Sequence, residues 1–224
     1  MVILEQVPGI LKVDGGAHLH EALARLRDAG YVADYRVRHC NRSGDRTSRR
    51  RVFVVAIQRR VLRDDGVDLF PVEPGSLVTR LVDIVDKEHD PELIFCGNVK
   101  WTPRDDGDAD YDGPVKLGVV EPGGIGHHVY SAAGPAITQK TWGEGPGRST
   151  GLYKFPGGIV RRLSPWEAMR CHSFPEPLIC KIQGLGLSEE QAYRLVGNSI
   201  PVMAMRKLIE HVLSIVDHSQ IQQP

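Results

Sequence analysis

No stretch of the 224-residue chain is apolar for long enough to span a bilayer, and none has the build of a secretory signal. The four cysteines, Cys40, Cys96, Cys171 and Cys180, show no C-x-x-C spacing and no regular framework. That argues against a disulfide scaffold and against a zinc site, and for free thiols in a reducing, cytoplasmic setting. There is no internal repeat and no long low-complexity segment. A glycine-rich stretch at PGGIGHHVYSAAGPAITQKTWGEGPG has no helix expected after it, so a phosphate-cradling loop is not indicated. Net charge is absent as well: 28 basic residues balance 28 acidic ones.

What remains is an ordinary globular composition, 41% hydrophobic and 25% charged, long enough for one large or two small domains. The charge is unevenly spread. Arg36 to Arg60 holds nine arginines and one acid, Asp45, whereas Leu62 to Asp112 holds fourteen acids and five bases. A basic segment beside an acidic one suggests a face that meets a polyanion; a solvated surface with uneven charge would look the same.

The opening run MVILEQVPGIL reads as a buried strand with a turn at Pro8-Gly9, yet it carries Glu5, and a carboxylate in an apolar run is costly without a purpose. His18 to Ala29 has helical spacing with Gly30 as its stop. Tyr31 to Val37 alternates as a strand. Arg38 to Arg50 reads as a polar, arginine-rich loop. Val52 to Ile57 is a continuous apolar run, as expected for a strand buried on both faces. This is part of an α/β sheet. From 61 to 158 glycine, proline and aspartate dominate. Short strands are expected at His128 to Ser131 and Ala136 to Lys140, and a solvated loop at Pro103 to Gly113. Helices return with Pro165 to Cys171, N-capped by Ser164. A second runs from a Ser188/Gln191 capping box to Val196, stopped by Gly197. A third starts at Pro201, with Val202, Met205, Ile209, Val212, Leu213 and Val216 on one face.

Four segments occur in order: LEQVPGIL, TSRRRVFVV from Thr47, VRRLSPWEAMRCHSFP from Val160, and YRLVGNSIPV from Tyr193. Together they resemble the C-terminal half of the DNA cytosine-5 methyltransferases. That family carries E-N-V, then Q-x-R-x-R, a variable recognition domain, R-x-L-[ST]-x-x-E-x-x-R-x-x-x-F-P and G-N-S-[VI]. The resemblance implies an α/β fold: the C-terminal portion of a Rossmann-like methyltransferase sheet plus a small, irregular, mostly β target-recognition domain. It divides the chain into a partial catalytic domain (1–60), the recognition domain (61–158), helices returning to the catalytic domain (159–218) and a tail (219–224).

The resemblance also implies roles. Glu5 would be the carboxyl that stabilises charge at N3 of a flipped cytosine. Arg49 and Arg51, alternate residues of an extended segment, would point together at the base and its backbone. Arg46, Thr47 and Arg50 of the same loop, and Thr138, are expected DNA contacts. Asn198 and Ser199 would lie beside the methyl donor S-adenosylmethionine, helped by free backbone N–H groups at the helix start. Glu167 and Arg170 would brace a hinge, and residues near Gly123 to Thr150 would read bases. The partners implied are double-stranded DNA and a complementary N-terminal half, with no metal and no membrane.

The sequence departs from the family in several places. No F-x-G-x-G segment and no Pro-Cys pair occurs in these 224 residues. Gln6 stands for Asn in E-N-V, and Thr47 for Gln in Q-x-R-x-R. The leading expectation is therefore one part of a two-part cytosine-5 methyltransferase. The alternatives are a catalytically inactive DNA-binding remnant or decoy, and an α/β protein with coincidental motifs.

Overall fold

The computed structural model describes residues 1–64, 66–73, 79–88, 90–103, 113–124 and 126–217. These form two compact units. The first comprises 1–39, 50–73 and the chain from 205; the second comprises 40–49 and 74–204.

The first unit is built on strands β1 (Val2–Gln6), β2 (Tyr31–His39) and a third, Arg50–Gln58, which is β4 because the two-residue strand β3 (Thr47–Ser48) precedes it. The order is β1-β4-β2, antiparallel throughout, with Glu5 opposite Phe53 and Arg36 opposite Phe53 on the other side. Helix α1 (Ala17–Asp28) covers one face. Its Leu19 and Leu23 pack with Ala33, Val52, Val54 and Ala56. The helix stops where Gly30 takes φ +85°, a left-handed conformation that a side chain would strain. Phe53, Val55 and Ile57, on the opposite face of β4, are equally buried. The continuous apolar run at 52–57 thus has the two-sided burial its composition implies, although the strands around it are antiparallel.

In the second unit, β5 (Val99–Trp101), β6 (Lys116–Val120), β7 (His128–Ser131), β9 (Leu152–Lys154) and β10 (Val160–Arg161) form a sheet ordered β10-β9-β7-β6-β5. Only the β7–β9 pairing is parallel. Strand β8 (Ala136–Ile137) pairs in parallel with β3. Helices α2 (Pro165–Cys171), α3 (Glu176–Gln183) and α4 (Glu189–Asn198) share a core of Ala168, Met169, Ile179, Ile182 and Val196. Ser164 and Ser188 each close a reciprocal capping box, with Glu167 and Gln191. Helix α5 (Val202–Ile215) begins in the second unit and continues in the first.

Three features differ from the sequence reading. The segment 40–49 is not a solvated loop: Cys40, Asn41, Ser43, Asp45, Thr47 and Arg49 are all buried in the second unit. The compact units also divide elsewhere than 60 and 158, because 40–49 and 159–204 both pack with residues 74–158. The buried stripe of α5 is Ala204, Leu208, Val212 and Ile215, while Ile209 and Leu213 remain 37% and 43% exposed. The expected loop at Pro103 to Gly113 lies, but for its ends, outside the described residues, as does the whole tail at 219–224.

Candidate active-site face and buried polar network

On one face of the first sheet, Glu5, Phe53 and Arg51 are neighbours, because alternate residues of a strand share a face and Glu5 is registered on Phe53. Arg51 Nε lies 2.5 Å from Glu5 Oε1, and both side chains are largely buried. The other arginines of that face have partners of their own. Arg36 makes a forked pair with Asp68 at 3.1 Å, and Arg38 reaches Glu73 and the Pro71 carbonyl. Two of the nine arginines of the basic segment are thus paired locally with acids at 68 and 73. The carboxylate of Glu5 is matched by one guanidinium on a rigid strand, an arrangement suited to presenting it to a planar heterocycle.

Arg49 behaves differently. The extended run is interrupted by a turn in which Arg49 N donates to Thr47 O. Its guanidinium is buried and donates to the carbonyls of Gln139 and Gly197, at 3.1 and 2.9 Å. Through this segment burial alternates: Asn41, Ser43, Asp45, Thr47 and Arg49 are inside, whereas Arg42, Gly44, Arg46, Ser48 and Arg50 are partly or fully exposed. Arg46 and Arg50 are therefore accessible to a phosphate. Thr47 is fully buried, with its Oγ1 2.8 Å from the Gln139 side-chain amide. Thr138 is half-buried and donates to the Ser48 carbonyl.

The G-N-S segment has three distinct residues. Gly197 faces the backbone of Lys140 and Thr141 so closely that a Cβ would overlap it. Asn198, at the end of α4, is exposed. Ser199 Oγ contacts His172 Nδ1 and the Val196 carbonyl, each at 2.7 Å. The start of α5 offers no free N–H groups at its first turn: Val202 N is taken by the His172 carbonyl, and Met203 and Ala204 N by the Asp45 carboxylate. Burial pushes the Asp45 carboxyl up from 3.8 to about 6, against the opposing pull of Ser173, these two amides and Arg46. Of the expected cofactor contacts, Asn198 is the one whose amide faces outward.

Glu167 and Arg170 serve the second unit. Glu167 is buried and forms a two-pronged pair with Arg161, both bonds 2.8 Å, and accepts from Ser164 N and Asp86 N. Burial alone would raise its carboxyl, but the Arg161 bonds and charge outweigh that and hold it below the ordinary range. Arg170 binds Asp86 and Glu176. In the glycine-rich stretch, Gly147 N donates to Gly126 O at 2.8 Å, and this close weave displays Lys140, Trp142 and Arg148 at the surface. A cavity of about 150 Å³ beside it is lined by His128, Tyr130, Lys140 and Arg148.

None of the four cysteines forms a disulfide. Cys40 and Cys171 are buried, and burial pushes the Cys171 thiol far up. Sequence reasoning missed Asp45, Gln139 and His172. Their partners lie tens of residues away, so no local spacing marks them.

The profile of the C-5 cytosine-specific DNA methylases matches residues 1–94, which include Glu5 and Arg51. The chain is 24% identical over 221 residues to the type II methyltransferase M.SsoII of Shigella sonnei, covering 96% of this chain and 53% of that protein. It is 25% identical over 217 residues to M.HhaI of Haemophilus parahaemolyticus, covering 95% and 62%. Residues 1–94 thus match the C-5 cytosine-specific DNA methylases, and the whole chain is similar to type II methyltransferases. Solved methyltransferases share its fold. The S. pombe Dnmt2 methyltransferase superposes with a TM-score of 0.63 at 16% identity, covering 95% of this chain and 64% of that one. The Entamoeba histolytica methyltransferase EhMeth gives 0.63 at 13%, covering 95% and 62%. The chain thus spans roughly half to two thirds of the family members it matches. Among the described residues no helix is long and apolar enough to cross a membrane.

Proposed function

We propose that this chain carries the Glu5–Arg51 half of a DNA cytosine-5 methylation site and the DNA-contacting surface that serves it. The observation that carries the reading is the Glu5–Arg51 pair, held on adjacent strands of a family-matched sheet. A thiolate adding to C6 of cytosine sends negative charge to N3. Glu5, fixed in orientation by Arg51 and protonated for this step, donates to N3, accepts from the exocyclic amine and so stabilises that charge. The base must leave the duplex to reach it. S-adenosylmethionine, when bound, supplies an electrophilic methyl group. The exposed Asn198 amide fits a contact with it, and Ser199 holds the loop. Arg46 and Arg50 bind phosphates, and Thr138 lies on the DNA side.

The thiolate is not drawn from this chain's cysteines. None follows a proline, and Cys40 and Cys171 are buried. The reading therefore pairs the chain with the family's N-terminal segment. The test mixes the chain with such a segment and follows labelled methyl transfer to duplex cytosine. Glu5→Gln should lower transfer by about 10²–10⁴-fold while leaving duplex affinity within about twofold. Transfer that is indifferent to Glu5→Gln sinks the reading. Duplex binding without transfer in any pairing would favour the inactive DNA-binding remnant.

A further inference from the structure

The buried network around His172 has more contacts than a simple cap needs, and counting its protons fixes its state. His172 is fully buried, with Nδ1 2.7 Å from Ser199 Oγ and Nε2 2.9 Å from Gln139 Oε1. Ser199 has one hydroxyl proton, and the Val196 carbonyl 2.7 Å away can only accept it. Nδ1 must then donate to Ser199. If the Gln139 oxygen faced Nε2, that nitrogen would have to donate too, which places an imidazolium in the interior beside the Arg49 guanidinium bound to the Gln139 carbonyl. The same orientation leaves the Gln139 NH₂ buried with no partner. Turning the amide end for end removes both problems. Its two N–H groups then go to His172 Nε2 and Thr47 Oγ1, and Thr47 donates to the Ile137 carbonyl at 3.2 Å. Every hydrogen is used once, and the one group left over is a carbonyl oxygen, the cheaper orphan.

We infer that His172 is a positioning residue: neutral, with its proton on Nδ1, it locks Ser199 and the adjacent Asn198 to the Thr47–Gln139 pair. Its own carbonyl, accepting from Val202 N, fixes the start of α5 at the same point. Four segments far apart in sequence thus meet at one imidazole. The segment expected on the DNA side (47–48 and 137–139) is connected by hydrogen bonds to the loop expected at the methyl donor (198–199). Charged and titratable groups bonded to the segments around the ring include Arg49, through Gln139 and Gly197; Asp45, hydrogen-bonded to Ser173; and Cys171 and Arg46, joined by a backbone bond.

Two measurements test this. Ring-¹⁵N-labelled full-length chain, with the His172 signal assigned by its loss in His172→Asn, should show a protonated Nδ1 and a bare Nε2 at neutral pH. Gln139→Glu, which offers only acceptors, should protonate the second nitrogen. A wild-type ring protonated on both nitrogens, or on Nε2 alone, overturns the inference. The kinetic arm rests on the methylation reading. In the complemented enzyme, His172→Gln, which keeps a group near Nε2 but none near Nδ1, should raise KM for S-adenosylmethionine about tenfold with kcat little changed. His172→Asn, which keeps a donor near Nδ1, should restore KM to near the wild-type value. Equal effects of the two variants contradict the role. Absence of any methylation by the wild-type pair counts against the methylation reading, while the nitrogen signals still decide the state of His172.

Discussion

Arg51 and Arg49 stand two residues apart and do different work, because a single turn at Thr47–Arg49 breaks the alternation that a continuous strand would impose. Arg51→Lys keeps the charge near Glu5 but loses the planar fork, and should lower methyl transfer in the complemented enzyme by about tenfold or more. The readout is kcat/KM beside unchanged duplex affinity. Arg49→Lys strips the bonds to two buried carbonyls, and its effect should appear instead in the unfolding free energy from denaturant titration, lowered by about 2 kcal/mol or more. Gly197 is the other residue whose role is set by space. A Cβ there meets backbone rather than a movable side chain, so Gly197→Ala should cost about 1–3 kcal/mol or more in urea unfolding. A neutral result would mean that α4 can shift off Lys140–Thr141. Glu5 was legible from sequence because a carboxyl in an apolar run is conspicuous. Asp45 was not, since among nine arginines it reads as one more surface charge.

Helix α5 shows what elements hide and reveal. Its Pro201 start was readable, yet its first amides are capped by a carboxylate from 158 residues earlier in the chain, which no local pattern announces. The Asp45 carboxyl titrates at about 6 when folded and at 3.8 when free. A raised folded value favours the protonated form. The stability it contributes is therefore complete below about pH 4 and is lost as pH rises through about 6, a change on the order of 3 kcal/mol. Asp45→Asn should flatten that part of the pH profile of the unfolding free energy; an unchanged profile would refute the assignment. Glu167 acts in the opposite sense, since its carboxyl is held low and its stabilisation fades as pH falls below the ordinary glutamate range. Removing it with Glu167→Ala leaves Arg161 buried and unpaired and should cost about 3–5 kcal/mol. Capping boxes, Gly30 and the 52–57 run were legible because each is a short-range device. Helix α3 went unread because eight residues with Pro177 near their start show too little periodicity.

For the whole molecule, the sheet face that carries Glu5 belongs to a three-stranded sheet, one edge of which is β1. Met1, Leu4 and Val7 along that edge are about half exposed, as are Ile209 and Leu213 on α5. An open apolar edge invites pairing. The family's N-terminal segment should protect the β1 amides from hydrogen exchange when mixed with the chain, and the isolated chain should self-associate more than the pair does. Order and spacing of motifs made the likeness to the cytosine-5 methylases legible. The division into units was not, because it depends on 40–49 turning inward to meet Gln139 and Gly197. The most direct test of the account is methyl transfer itself: labelled S-adenosylmethionine and a cytosine-containing duplex, offered to the chain alone, to the N-terminal segment alone and to both together. The account predicts labelled 5-methylcytosine only from the pair. Transfer by the chain alone, or by no combination, would contradict it.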